Sequence, residues 1–281
     1  MKNNILVLGG TGKTGRKVVE QLTNRGQKVR VGSRNATPSF DWNVPANWPA
    51  AFQGIDKIYI TFQPDLAVPG ALEAIELLTK EAHKAGIKKL VLLSGKGERE
   101  AELCEQVVIH SGIDYTIVRA SWFNQNFSES FFLDPILAGH VALPQAQAKV
   151  PYVDTDDIAA VVVETLLDDQ HNGEIYELTG PRLLTFEDVI QEINKATERN
   201  IVFTPISLDA YSKMLKEFQL PADYVWLITY LFTEVIGNEK NSLVTHDIEK
   251  VLGRKAKDFS TYVQETAATG VWSSIPKNQR A

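Results

Sequence analysis

The residues with the clearest chemistry stand near the start of the chain. Gly9-Gly10-Thr11-Gly12-Lys13-Thr14-Gly15 follows the apolar run Ile5-Leu6-Val7-Leu8 and precedes Val18, Val19 and Leu22. Gly10, Gly12 and Gly15 have the G-x-G-x-x-G spacing of a dinucleotide-binding turn between a strand and a helix. Gly10 suits the tight turn, Gly12 leaves a pyrophosphate free to approach the backbone, and Gly15 lets the helix pack closely on the sheet. N–H groups of the first helical turn then face the phosphates, with Gly9, Thr11, Lys13 and Thr14 completing the segment. The next strand ends at Gly32-Ser33-Arg34. An acid at that point would pair with the ribose 2′-hydroxyl of NAD, whereas Arg34 suits a 2′-phosphate. Ser33 or Asn35 can add a neutral donor, and Arg16 or Lys13 a second positive charge. The expectation is NADP(H) in preference to NAD(H).

Further candidates come from the rule that ligands of open parallel sheets lie beyond the carboxyl ends of the strands. It selects Phe62-Gln63-Pro64, where Phe62 and Pro64 can flank adenine or ribose and Gln63 can bond to the ribose. It also selects Ser94-Gly95-Lys96-Gly97 and the segment from Arg119 to Asn126. Asn124, Asn126 and Ser94 can orient reacting groups or meet a developing oxyanion, so they are the candidate catalytic residues. Ser94 is also a candidate cofactor contact. Trp122, Phe123 and Tyr230 can line a pocket for a flat apolar ligand. Plain structural readings stand beside these: a turn serine, local capping by Asn126, and aromatic packing between helices.

The elements that must position these groups read as alternating strands and helices. Strands are expected at 5–8, 28–33, 55–62, 89–93 and 115–118, with a short one near Phe40-Asp41-Trp42. Helices are expected after Gly15, over about 69–85 and over 98–111. Asp156 or Asp157 can cap a helix running to Leu167, Glu174 to Leu178 reads as a strand, and Thr185 starts another helix. A strand over 201–205 and helices through most of 208–239 follow. The fold class is therefore α/β: a Rossmann-type, doubly wound parallel sheet. Residues 1–150 form the nucleotide domain. Residues 151–281 form a smaller, mixed but mostly helical substrate region packed on it, with strand exchange between the two allowed.

Composition narrows the function classes. A net charge of −6 offers no basic field for nucleic acid. The one cysteine, Cys104, sits in a helical apolar pattern and reads as a core thiol. No run of apolar residues is long enough to span a membrane, and no secretory leader precedes Ile5, so the cytoplasm is the expected location. The five histidines are scattered, and Asp154, Asp156 and Asp157 read as helix-start residues, so no metal is expected.

The chain resembles the NmrA-like family of atypical short-chain dehydrogenases/reductases. The resemblance rests on the glycine turn with Arg34, then Val91-Leu92-Leu93-Ser94, then Ser111 to Phe123 with Asn124 and Asn126 behind it. Tyr152 to Ala159 and Tyr176 to Pro181 continue it. It implies an NAD(P)H-dependent reductase of quinones, azo compounds or similarly activated molecules. It further implies that Arg119 to Phe127 borders the nicotinamide, and that the helix starting at Asp157 and the turn Leu178 to Pro181 belong to the smaller domain. The broader dehydrogenases use a Tyr-x-x-x-Lys pair, and no tyrosine here has a lysine four positions later. Two readings follow. One is a reductase passing hydride to a small aromatic or quinone-like acceptor without that pair. The other is a nucleotide-binding redox sensor acting through a protein partner. Either is expected as a monomer or homodimer.

Overall fold

The computed structural model describes residues 3–273. Its strands are β1 (Asn4–Leu8), β2 (Lys28–Gly32), β3 (Lys57–Ile60), β4 (Lys89–Gly95), β5 (Asp114–Ala120), β6 (His140–Leu143), β7 (Glu174–Leu178) and β8 (Val202–Pro205). The helices in its first half are α1 (Gly15–Asn24), α2 (Trp48–Phe52), α3 (Ala71–Lys84), α4 (Arg99–Ile109) and α5 (Leu133–Ala138). Then come α6 (Thr155–Leu167), α7 (Phe186–Thr197), α8 (Leu208–Glu217), α9 (Ala222–Tyr230), α10 (Asp247–Leu252) and α11 (Phe259–Ala268).

Two compact units are present. The first contains the chain up to Ala120 together with Thr155–Leu178 and His246–Arg254. Its six strands form one parallel sheet in the order β2-β1-β3-β4-β5-β7. From β1 the chain steps outward to β2, then returns to β3 on the other side of β1. The switch point therefore lies at the carboxyl ends of β1 and β3, where the glycine turn begins. Continuous apolar runs such as Ile5 to Leu8 and Ile58 to Ile60 are buried on both faces, as parallel central strands require. Leu6, Leu8, Ile58, Ile60, Leu90, Leu92 and Ile117 pack with Ile75 and Leu78 of α3 and with Cys104 and Val108 of α4. The alternate residues Val7, Tyr59, Val91 and Val118 point to the opposite face, where α6 lies against β3, β4 and β5. α6 is buried around most of its circumference because it touches the sheet, α1 and α10.

Two expectations change. Residues 40–42 form no strand. Phe40 and Trp42 pack edge to face at 5.1 Å, and Phe40 stacks on Trp48 at 5.3 Å, so the alternating aromatic pattern builds a cluster beside α2. The helix starting at Thr155 and strand β7 belong to the first unit, because β7 extends the main sheet beside β5 and α6 is the crossover between them. The division is thus discontinuous in sequence, where the sequence reading placed one change at 150. Asp156 and Asp157 occupy the first turn of α6 and pair with Lys17 at 2.6 Å and Arg254 at 2.7 Å.

The second unit contains Ser121–Asp154, Thr179–Thr245 and the chain from Lys255. β6 and β8 form a short parallel pair. Its core is aromatic, with Phe127, Phe132, Tyr152, Phe186, Phe232, Phe259 and Trp272 buried together. Trp272 Nε1 donates to the Phe127 carbonyl at 2.8 Å, which fixes the indole as a packing anchor. Thr185 starts α7 through a reciprocal cap with Asp188. No helix among the described residues is long and apolar enough to cross a membrane.

Candidate nucleotide site

The glycine turn leaves β1 with Gly9 in the left-handed region at φ 63°, so Gly9, rather than Gly10, makes the tight turn. Gly12 N–H donates to the Gly9 carbonyl at 2.8 Å and closes it. Gly10 is required by packing: a Cβ there would meet Val31 at 3.0 Å and the Val7 carbonyl at 3.1 Å. A Cβ on Gly15 would overlap the Gly9 backbone, so α1 can pass this close to the turn only without a side chain. Gly12 differs. Its Cβ would lie 3.2 Å from the Gly9 carbonyl and 3.6 Å from Gln63 Nε2, with no other heavy atom nearer than Gln63. That open side is where a pyrophosphate would approach. Beneath the turn, the Tyr59 hydroxyl donates to Thr14 Oγ1 at 3.0 Å, and burial pushes this phenol above its ordinary range.

At the end of β2 the Ser33 carbonyl accepts from the amides of Ala36 and Phe40, which curls the chain back after the strand. Arg34 is exposed and makes no hydrogen bond or ion pair among the described residues. A guanidinium in that position is available to a 2′-phosphate. At the end of β3, Phe62 is half-buried with its ring 4.8 Å from Trp42, which makes it a wall of the aromatic cluster. Gln63 and Pro64 follow it at the strand end, with the Gln63 amide beside Gly12. The residues present fit a dinucleotide: a glycine with only the Gly9 carbonyl and the Gln63 amide near the place of a side chain, and an uncommitted arginine just past the end of β2.

Ser94 is tied into a polar network. Its hydroxyl donates to the fully buried Glu105 at 2.6 Å, and Arg119 Nη2 reaches the same carboxylate at 2.6 Å. Arg119 Nη1 also bonds to Glu177 at 3.3 Å, and Lys96 Nζ lies 3.9 Å from Glu177. The hydrogen bond to Glu105 is the main reason Arg119 holds its proton even more firmly than usual. The network ties β4, α4, β5 and β7 together. Sequence reasoning missed Glu105 in this role because its partners are eleven and fourteen residues away on other elements. It also missed Asp65 and Glu98, two carboxyl groups hydrogen-bonded to each other beyond the ends of β3 and β4.

The remaining predicted site residues lie in the second unit. Trp122 and Val153 are joined through the backbone, and Asn124 N–H donates to the Val153 carbonyl at 2.9 Å. Phe123 forms the bridge with Val153 and precedes a short turn, Asn124–Phe127, that includes Asn126. Asn124 is fully buried, and its Nδ2 faces Asp154 Oδ2 at 3.5 Å. Because Asp154 must accept there, the Asn124 amide presents its carbonyl oxygen elsewhere, and that oxygen has no hydrogen-bond partner among the described residues. Trp122 packs at 5.9 Å from Phe232, and its Nε1 is likewise unpartnered. Tyr230 stacks on the exposed Trp226 at 5.4 Å and 14°. Phe232, by contrast, is wholly core. No cluster of metal-binding side chains occurs among the described residues.

Comparison with known proteins shows the family. The NmrA-like family profile matches residues 100–266, and an NAD(P)H-binding profile matches residues 9–169. The chain belongs to the NmrA-like family. It is 28% identical to prestalk A differentiation protein A of Dictyostelium discoideum, over 94% of this chain and 93% of that protein. It is 27% identical to an NAD(P)H azoreductase of Xenophilus azovorans, over 94% of this chain and 98% of the relative. Among solved structures, an NADPH-dependent quinone oxidoreductase of Escherichia coli complexed with NADPH superposes with a TM-score of 0.76. That match has 21% identity and covers 93% of this chain and 99% of the other. This NmrA-like chain therefore combines the family's sheet with an NAD(P)H-binding turn.

Proposed function

We propose that this NmrA-like protein is an NADPH-dependent oxidoreductase that reduces a quinone-like or similarly activated aromatic or unsaturated acceptor. The observation that carries the reading is the uncommitted Arg34 at the end of β2, together with an open Gly12 at the switch point. An acid at that strand end would favour NAD, and none is present. Bound NADPH would supply hydride, and the acceptor would take one further proton. The names of the azoreductase and quinone oxidoreductase relatives support an electrophilic, planar acceptor.

α4 carries neither tyrosine nor lysine, so the usual Tyr-x-x-x-Lys relay is missing from the helix after β4. An activated acceptor forms a stabilised oxyanion and asks little of a protein acid, so water can deliver the proton. In this reading Asn124 orients the nicotinamide carboxamide through its unpartnered carbonyl oxygen, and Asn126 assists it. Trp122, Phe123 and Tyr230 present aromatic surface to the acceptor. The Ser94 hydroxyl, which donates to Glu105, keeps its acceptor lone pairs for the cofactor or acceptor.

The test is an anaerobic spectrophotometric screen of NADPH oxidation against quinones, azo dyes, enones, iminium compounds and simple ketones. Turnover is expected with the first groups and not with simple ketones. Tight NADPH binding without turnover on any of them would instead establish the second reading, a nucleotide sensor acting through a protein partner. That reading is favoured by the missing relay and by a relative named for differentiation rather than for a reaction.

A further inference from the structure

Beyond the ends of β3 and β4, the loop after β3 is held at two points. Near its start, Thr61 Oγ1 donates to the Leu8 carbonyl at 3.1 Å, and Gln63 Nε2 lies beside Gly12. Two residues further on, Asp65 turns inward. Its Oδ1 accepts from the Ala67 amide at 2.8 Å, and its carboxyl is hydrogen-bonded to that of Glu98, which precedes α4. Glu98 is only 8% exposed. Its carboxyl occupies the space that a Cβ on Gly95 would fill, so the strand end is shaped to admit it. Two carboxylates both accept and neither donates; a hydrogen bond between carboxyl groups therefore needs one proton shared by the pair.

We propose that the Asp65–Glu98 carboxyl pair is a positioning device that holds one proton and thereby seats the Gln63 loop against the glycine turn. Loss of that proton sets two negative groups against each other, with Glu98 buried and Asp65 partly so, and releases the loop, so nucleotide affinity falls as pH rises. The inference rests on the nucleotide-binding reading.

The electrostatic surroundings agree. Burial is the leading cause that pushes Glu98 well above the carboxylate range, followed by the charge of Asp65 and the hydrogen bond to it; Glu100 and Glu105 add to it. Burial likewise raises Asp65. The other ionisable groups around the pair do not supply a competing switch. Glu105 is paired with Arg119. Lys96 lies against Glu177. The Cys104 thiol, which faces Glu105, Glu73 and Asp65, is pushed up to about 12, chiefly by burial.

The experiment compares NADPH affinity of the parent with Glu98→Gln by calorimetry from about pH 5 to about 9.5; the second ionisation of the nucleotide phosphate, at about 6, is common to both proteins and cancels. The amide introduced by Glu98→Gln donates to an ionised Asp65 and does not titrate. At the lower pH the two proteins should bind alike. At the upper pH the parent should have lost about tenfold in affinity relative to Glu98→Gln, equivalent to about 1.4 kcal/mol. Lys89, which also titrates near pH 8, is present in both and cancels. Asp65→Asn, which keeps the bond to Ala67 and donates to Glu98, should flatten the profile in the same way. Thermal unfolding over the same pH range gives a readout independent of nucleotide: the parent should lose stability relative to both variants as pH rises. Parallel affinity profiles together with parallel stability profiles would overturn the proposal. If NADPH does not bind any of the proteins while their stability profiles diverge, the nucleotide reading and the seating of Gln63 fail, and the shared proton alone stands.

Discussion

At the amino edge of the six-stranded sheet, Lys57 and Lys89 are almost wholly buried, at 7% and 1% exposure, and both ammonium groups are directed at fixed acceptors. Lys57 Nζ bonds to the Leu166 carbonyl at 2.8 Å and to Asp169 at 2.9 Å, and Lys89 Nζ to the Asp168 carbonyl at 3.2 Å. Those carbonyls belong to the end of α6 and the residue just after it, which lack partners of their own in the helix. At the carboxyl edge of the same strands the arrangement reverses. Gly12 has only the Gly9 carbonyl and the Gln63 amide near the place of a side chain, Arg34 is uncommitted, and the Asp65 and Glu98 carboxyls face each other. The contrast separates polar groups spent on closing the fold from polar groups left available to a ligand. Substitutions at the first edge should therefore read out as stability, and those at the second as binding.

The sharpest break of that comparison is Gly12→Asp. The side chain would occupy the open approach and repel a pyrophosphate, so NADPH affinity should fall by at least about a hundredfold. The melting temperature should fall less than the affinity, because the backbone there is not in the left-handed region and the tight contact of a new Cβ is with the Gly9 carbonyl at 3.2 Å. A large loss of folding stability with binding retained would invert the assignment of the two edges. At the amino edge, Lys57→Met leaves the Leu166 carbonyl without its donor. We expect a cost of about 1–3 kcal/mol in chemical denaturation and an NADPH affinity equal to that of the parent.

Arg34→Ala sharpens the comparison at the ribose. NADPH affinity should drop about tenfold while NADH affinity and melting temperature hold, as measured by calorimetry with both nucleotides. Equal affinities for the two cofactors in the parent would remove the preference altogether. The smallest effect concerns Lys89, whose ammonium is lowered to about 8 mainly by burial, with Lys57 adding to it. The native state gives up this proton before the unfolded chain does, at its ordinary 10.5. Over that interval the unfolded chain binds more protons, so stability rises with pH. Lys89→Met should lack this rise, and denaturation curves across the interval would show it.

Much of the first unit was legible because its signals are local. The strand, glycine turn and helix lie close together in the chain, and the apolar runs of β1, β3 and β4 can serve only as strands covered on both faces. Phe40-Asp41-Trp42 misled for the same local reason: alternation suits a strand, but these rings found Trp48 and Phe52 instead of a neighbouring backbone. Membership of α6 and β7 in the main sheet also lay beyond local pattern, since only the pairing of β7 with β5 decides it. In the second unit, the residue types around Trp122 to Asn126 were visible, yet which atom of Asn124 is left over depended on Asp154, thirty residues away.

The sequence by itself determined a glycine-rich turn after the first strand, the absence of an acid at the end of the second, and the absence of any tyrosine followed four residues later by a lysine. Those are statements about residue types at short spacing, which local backbone geometry translates directly into structure. Tertiary structure alone decided that Gly9 makes the turn, that the Ser94 hydroxyl donates to Glu105, and that Asp65 meets Glu98. The physical reason is that a side chain's chemistry is set by what faces it. In a parallel sheet the groups that meet at one edge come from strand ends tens of residues apart.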